Sequence, residues 1–379
     1  METTWTDPVH SIELKSFFIS EEYGFVLEDP LTELPRCYQP WMDVANNLTH
    51  LIKTHQLRDL VKKMPLLSTL HLHGYRQLRL AHLALGFITM GYVWQEGLHQ
   101  PAQALPRALA VPYCNVSQAL GLPPILVYAD CVLANWRLKD PSRPMEIGNL
   151  DTIFSFPGGE SGKNFFLVSM LVEKSANSGI QGVISAVNAM VTFDISSLHK
   201  ALQRITLSLK NMEEAFRIIH NHVDPKIFHG TFRIYLSGWR DNPLLPDGLW
   251  YEGVREEPLR LSGGSAAQSS SIQSLDTLLG IQHDLDSDSR LSEANAELHA
   301  PVPSAADRDC SRQPVSALLR AVQCRPLPLS GVQHLRLCSG GTTELPPQRR
   351  GQVHHSAQAE GANRTGGGLP IPWSVRGPQ

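Results

Sequence analysis

SSLHKALQRITLSLKNMEEAFRIIHNH, residues 196–222, places Leu202, Ile205, Leu209 and Met212 three, four and three residues apart. That spacing returns to one face of a 3.6-residue turn and predicts an amphipathic helix. The stretch before it, FFLVSMLVEKSANSGIQGVISAVNAMV at 165–191, reads as a second long helix. Further upstream, residues 67–92 read as a long buried helix. Val44, Leu48, Leu51 and Ile52 give residues 43–55 helical spacing. Residues 116–120 predict a short helix, stopped by Gly121 and Pro123-Pro124. ILVYADCVLANW at 125–136 is apolar nearly all round, which predicts a buried helix. Downstream, Asp224-Pro225 opens a helix expected to reach about Trp239, since Pro suits the first helical turn. Residues 261–265 form a Gly/Ser-rich loop, and 266–281 the last helix. Period-two alternation and internal repeats are both absent, so the fold class is all-α.

The chain has 379 residues, 42% of them hydrophobic and 18% charged, which is globular composition with room for more than one domain. A net charge of -3 gives no electrostatic basis for nucleic-acid or membrane binding. Cys37, Cys114, Cys131, Cys310, Cys324 and Cys338 form no CxxC pair, which argues against a zinc ribbon or redox dithiol. The N-terminus, METTWTDPVHSIELKSFF, lacks the basic start and apolar core of a signal peptide. The apolar run 78–94 is too short and too interrupted by Arg79 and His82 to span a bilayer. A cytoplasmic location is expected, where the sequons at Asn47, Asn115 and Asn363 are inert.

Three motifs are weaker than they look. PGGESGKN at 157–164 resembles a phosphate loop, but Pro157 takes the first Gly position and Asn164 replaces the magnesium-binding Ser/Thr. It reads as a turn between helices. The pairs His71/His73, His220/His222 and His354/His355 have no Cys or acid at zinc spacing. Ser265 in GGSAA lacks the second Gly of a nucleophile elbow, and no strand precedes it. Arg233 carries more weight. It sits in the apolar stretch IFHGTFRIYLSGW beside Phe232 and Ile234, and a buried Arg needs an anion. Asp276 is one structural partner; a substrate carboxylate gripped bidentately is the other. Phe165, Phe166 and Phe228 suit either an apolar pocket or the core.

The segments LPPILVYADCVLANW (122–136), FFLVSMLVE (165–173), FRIYLSGW (232–239), DGLWYEG (247–253), GGSAAQSS (263–270) and LDTLLGIQ (275–282) resemble the indoleamine 2,3-dioxygenase family. EEYGF, MGYVWQEG and IGNLDTIFSFPGGES are closer to its second paralogue. The similarity covers about residues 10–285. It implies an all-α fold, with a small N-terminal domain (1–156) packed on a helical haem-binding domain (157–290 in this chain). It also implies an oxidoreductase that uses haem b to add both atoms of O₂ across the indole C2–C3 bond of L-tryptophan or a related indoleamine, giving N-formylkynurenine. The family is largely monomeric. Carried over by motif, Tyr128, Cys131, Phe165 and Ser169 line the distal pocket, with Phe165 and Ser169 also against the haem. Phe228 packs on the indole and Arg233 holds the substrate carboxylate. Gly264, Ser265 and Ala266 belong to a loop near the haem edge and substrate ammonium. No residue acts as acid or base. His229 stands where the first paralogue has a second Phe, which bears on substrate affinity.

The resemblance ends near residue 290. Residues 291–379 contain nine Arg and no Lys, ten Pro, nine Gly and a single aromatic, Trp373. This composition predicts an irregular, disordered tail. The family's M-R-x-Y-M-P-P stretch and its R-S-Y-H stretch, which carries the proximal iron ligand, are both absent. Both are recoverable one base out of register. Residues 295–301, written AAT GCG GAG CTA CAT GCC CCC, read M-R-S-Y-M-P when started one base later. Residues 343–347, written ACG GAG CTA CCA CCT, yield R-S-Y-H with the same shift. The shifted Tyr falls at codon 298 and the shifted His at the codon of Pro346, which agrees with the family spacing. The tail therefore reads as a frame-shifted version of the haem-binding C-terminus, with the slip between His283 and Arg290. The chain is expected to have no metal ligand of its own, since the proximal His is out of frame at Pro346, and to be impaired as an enzyme.

Overall fold

The computed structural model describes residues 13–14 and 19–281, and the expectations for the extreme N-terminus and for residues 291–379 lie outside them. Three short helices, α1 (Gln39–Asn46), α2 (Leu48–Lys53) and α3 (Leu57–Lys63), pack on α4 (Gly74–Trp94). The periodic stretch 43–55 is thus split. Asn47 donates its side-chain amide to the Asp43 carbonyl at 2.9 Å, a local bond that competes with helix continuation. Helix α4 also begins later than its apolar run suggests. Ser68 caps a 3₁₀ turn at Thr69–His71, and Gly74 has a φ of 75°, outside the right-handed region. From Arg79 to Trp94 every residue of α4 is buried.

Helix α5 (Arg107–Leu120) is longer than expected and ends, as predicted, at Gly121 in the left-handed conformation. The segment 125–136 is buried but is not one helix. Only α6 (Tyr128–Cys131) is helical. Buried side chains take over the backbone bonds. Asp130 Oδ2 accepts from the Val127 amide at 3.1 Å. Asn135 Oδ1 accepts from the Phe154 and Ile153 amides, while its Nδ2 donates to the Phe154 carbonyl. Four two-residue strands complete this half. β1 (Ala104–Leu105) pairs in parallel with β4 (Trp250–Tyr251), and β2 (Arg137–Leu138) pairs antiparallel with β3 (Leu150–Asp151).

α7 (Gly159–Val191) runs 33 residues and packs along α8 (Ile195–Arg217). The face of α8 that meets α7 is Ala201, Ile205 and Ser208, rotated from the expected Leu stripe; Leu209 is exposed. Glycine sets this geometry. A Cβ at Gly182 would lie 2.7 Å from Ile205 Cγ1, and one at Gly179 2.8 Å from Ser208 Oγ. Two small residues thus allow the axes to approach. After α9 (Ile219–His222), the expected helix to Trp239 breaks into three pieces. These are α10 (Pro225–Ile227), a π-helical turn Phe228–Phe232 and a 3₁₀ turn Arg233–Leu236. The last described helix, α11 (Ser270–Leu279), packs on α7 and is preceded by a 3₁₀ turn at Ala266–Gln268. Among the described residues helix predominates and the strands are only these short pairs, so the all-α expectation holds. The larger hydrophobic core runs from Trp41 and Trp94 to Phe166 and Phe232 without a break at residue 157.

Candidate functional site

PGGESGKN is where the site begins, but as architecture. Gly158 and Gly159, with φ of 136° and 56°, turn the chain into α7. The Lys163 ammonium pairs with Asp151 at 3.1 Å and Glu160 at 3.3 Å, so it is committed locally. Ser161 Oγ accepts from the Asp224 amide at 3.1 Å, anchoring the start of the irregular segment.

One turn into α7, Phe165 meets that segment. Its ring centroid lies 4.6 Å from Phe228 and 5.8 Å from Phe232, and Phe232 is 5.1 Å from Phe166. Phe232 is buried in a slot opened by Gly162, where a Cβ would come within 2.6 Å of the ring. Phe156, stacked on Phe87 at 4.3 Å and on Tyr235 at 4.8 Å, joins this aromatic wall to α4. The π turn between Phe228 and Arg233 explains why these two residues depart from regular helical spacing; such turns recur at functional sites. Arg233 is half-buried and makes no ion pair among the described residues, with Asp276 or otherwise. The structural pairing with Asp276 is therefore not present. His229 is exposed and meets the Phe228 ring edge-on at 5.3 Å.

Ser169, one turn after Phe165, donates its hydroxyl to the Phe165 carbonyl at 2.8 Å. Its proton is spent inside the helix, so it offers only an acceptor to its surroundings. Tyr128 and Cys131 on α6 are buried. Burial pushes the Cys131 thiol well above its usual range, which makes it an inert neutral group. Burial, then the Glu173 carboxyl beside it, also raises the Tyr128 phenol. The Tyr128 amide donates to Gln268 Oε1 at 2.9 Å. Gln268 also accepts from the Ser265 amide and donates to the Gly263 carbonyl. One side chain thus joins the loop carrying Gly264, Ser265 and Ala266 to α6. A Cβ at Gly264 would come into ordinary contact with the Leu126–Tyr128 backbone.

The sequence reading missed the groups that hold this arrangement. Glu173, 2% exposed, receives hydroxyl contacts from Tyr128, Ser269 and Ser271. On the other side, His82 Nδ1 lies 2.9 Å from Asp130, and its Nε2 faces Ser117 Oγ and the Pro123 carbonyl. Arg79 donates to the Ala129 carbonyl at 2.6 Å. His82, Asp130 and Ser117 copy the order of a hydrolytic triad, but all three are sealed in the core, where no substrate reaches. Polar residues inside otherwise apolar runs were the available signal.

Among the described residues no cluster of three or more His, Cys, Asp and Glu is placed to hold a metal ion. Of the described histidines only His82 is buried, with both ring nitrogens engaged; His222 is half-buried and the others are exposed. The half-buried aromatic wall, the acceptor-only Ser169 and the small residues at 264–266 suit one face of a flat apolar cofactor such as haem. Pro346, where the sequence reading expects the proximal His to be out of frame, lies outside the described residues. As a proline it carries no side-chain nitrogen, oxygen or sulfur with which to ligate iron. No described helix is long and apolar enough to cross a membrane.

The family model described as indoleamine 2,3-dioxygenase matches residues 13–309, which passes residue 291 but stops well short of the C-terminus and of Pro346. Human indoleamine 2,3-dioxygenase 2 is 55% identical over 276 residues, covering 73% of this chain and 68% of that protein. Rat indoleamine 2,3-dioxygenase 1 is 53% identical over 272 residues, 72% of this chain and 67% of the relative. A protein named myoglobin from the abalone Haliotis diversicolor is 39% identical over 284 residues, 74% of this chain and 73% of its own length.

Proposed function

The chain belongs to the indoleamine 2,3-dioxygenase family, and from that premise we propose that residues 19–281 carry the substrate half of a haem-dependent tryptophan or indoleamine dioxygenase site. The observation that carries this reading is Arg233: a half-buried guanidinium with no ion pair among the described residues, one π turn from the aromatic pair Phe165–Phe228. An amino acid with an indole ring and a carboxylate complements both. The indole packs on Phe165 and Phe228, and Arg233 takes the carboxylate through two parallel hydrogen bonds.

Phe165, Ser169 and the loop Gly264–Ser265–Ala266 line the haem face, with Tyr128 and Cys131 closing the distal side. Haem, when bound, supplies the O₂ chemistry that places both oxygen atoms in N-formylkynurenine. The protein residues orient and exclude water. Tyr128, Cys131 and Ser169 present no free acid or base, so they leave proton transfer out of the step. The division into a small domain ending at residue 156 and a haem-binding part from 157 to 290 belongs to the same proposal, as do a monomeric state and a cytoplasmic location.

A second reading concerns this particular polypeptide. It lacks R-S-Y-H and has Pro346 where the shifted frame places the His, and haem iron needs an axial ligand to be held and tuned. Phe193 in the turn before α8, Ile195 at its start and Leu207 in its middle are 76%, 81% and 60% exposed. Helices encoded by the proper frame would cover such surface. The chain is then a poorly haem-binding product, restricted at most to an interaction role.

Haem titration decides between the readings. The 379-residue chain is expected to give a weak Soret band and no N-formylkynurenine, and the frame-repaired chain to give both with tryptophan. Histidine-type ligation and turnover by the 379-residue chain would sink the second reading. Failure of the repaired chain to bind haem or form product would sink the first. Sequencing the transcript across codons 280–295 and onward tests the shift itself; a frame that cannot spell M-R-x-Y-M-P-P removes it.

A further inference from the structure

Glu173 is an unusual carboxyl. It is buried on α7 and surrounded by hydroxyls, with no cation in contact among the described residues. Tyr128 Oη donates to Oε1 at 3.0 Å. Ser269 also donates to Oε1, and Ser271 donates to Oε2 at 2.7 Å. These three partners come from α6 and from the start of α11. Ser269 has no alternative donor role: its oxygen accepts the Ile272 amide as the cap of α11, so its own proton goes to Glu173.

The Tyr128 hydroxyl donates to Oε1 in either of two arrangements of Glu173. If Glu173 is ionised, it accepts three hydroxyl protons. If it is protonated on Oε2, the acid proton points to Ser271 and Oε1 is left to accept from Tyr128 and Ser269. In both states Oε1 accepts from Tyr128. Burial raises Glu173 above the usual carboxylate range, partly offset by the three hydroxyls, and this affects only the Oε2 side of the arrangement.

We propose that Glu173 is a positioning residue that commits the Tyr128 hydroxyl proton to α7 and locks α6, α7 and the cap of α11 into one unit. The proposal rests on the reading of Tyr128 as a wall of the substrate site. Its consequence there is specific. Tyr128 presents its ring and an acceptor lone pair, not a proton, so bound O₂ and the indole meet no donor from that wall. Selection then falls to shape and to Arg233.

The test uses the full 379-residue chain without haem. Ultraviolet resonance Raman, taken as the difference between the unaltered chain and Tyr128→Phe, reads whether the Tyr128 phenol donates or accepts. Hydrogen exchange reads residues 126–131 and 266–275. The unaltered chain is expected to show a donating Tyr128 and protection at both segments. Glu173→Ala should abolish the donor signature and speed exchange about tenfold or more at both segments together, since buried hydroxyls lose their acceptor. Glu173→Gln keeps Oε1 as an acceptor and should restore both readouts. Ser271→Ala should leave the Tyr128 signature unchanged. The proposal is overturned by an accepting or free Tyr128, by exchange changes confined to α7, by no rescue in Glu173→Gln, or by no protection in the unaltered chain. None of these readouts involves haem or turnover, so failure of the dioxygenase reading leaves a distinct result.

Discussion

Residues 195–217 and 225–239 look alike as sequence: each has apolar residues at helical intervals behind an Asp that serves as a cap. They fold differently. Asp194 accepts from the Ser197 amide and α8 continues unbroken to Arg217. Asp224 accepts from the Lys226 amide, yet α10 lasts three residues before the π and 3₁₀ turns. The difference lies in what each stretch packs against. α8 lies along α7 and buries only Ala201, Ile205 and Ser208, so its own hydrogen bonds set its shape. The second stretch is drawn inward. Phe232 seats in the Gly162 slot, Tyr235 stacks on Phe156, and the Ser237 carbonyl accepts from Trp94 Nε1. Its backbone yields to tertiary contacts, and Phe228 and Arg233 sit where it yields.

The comparison breaks most directly at Phe232. Phe232→Ala should cost about 3–5 kcal/mol, the usual range for an emptied aromatic site, measured by urea denaturation. It should also let the π turn relax to regular helix, visible as altered hydrogen exchange at residues 228–236. A large loss of stability with an unchanged exchange pattern there would mean that the turn is local in origin.

Next in size is Arg233→Ala in the frame-repaired chain. Losing hydrogen bonds to a charged partner, at roughly 1.5–3 kcal/mol, should raise KM for tryptophan by about 10- to 100-fold, with folding stability nearly unchanged. A stability loss without a KM change would return Arg233 to a structural role. Gly162→Ala should cost about 1–3 kcal/mol through overpacking against the Phe232 ring. On α8 the matching exposed position, Leu207→Ala, should stay within about 0.5 kcal/mol.

The smallest effects are pH dependences of opposite sign. Hydrogen bonds from the Ser197 hydroxyl and amide hold the Asp194 carboxyl below its ordinary value. Its contribution is present above the ordinary carboxylate range and is lost as pH falls through the lowered value. Glu173 is raised by burial, so the folded chain binds its proton more tightly than the unfolded one. That contribution is complete below the ordinary range and is lost as pH rises through the raised value. Denaturation across this range should give slopes that Asp194→Asn and Glu173→Gln each flatten, in opposite directions. Equal slopes in the unaltered and Glu173→Gln chains would place Glu173 at its unfolded value.

Much of the helical layout is legible in the sequence because its signals are local. The 3.6-residue spacing of 196–222, the Gly121 stop and the Asp224-Pro225 start depend on neighbours in sequence. Leu209 shows the limit: its place in the stripe follows from spacing, but which side of α8 meets α7 depends on Gly179 and Gly182 on the other helix. Segment 125–136 reads as one helix because Asp130 and Asn135 look like isolated polar residues until their distant partners, His82 and Phe154, are in place.

The linear chain alone establishes the helical class and the family, since composition and motif need no folding to be read; Pro346 at the position of the R-S-Y-H histidine belongs to the proposed frame shift. It took the folded arrangement to separate Arg233 from Asp276, to spend the Ser169 proton on its own helix, and to gather Tyr128, Ser269 and Ser271 around Glu173. Those facts depend on which polar groups meet after burial, where each must find a partner from a remote part of the chain.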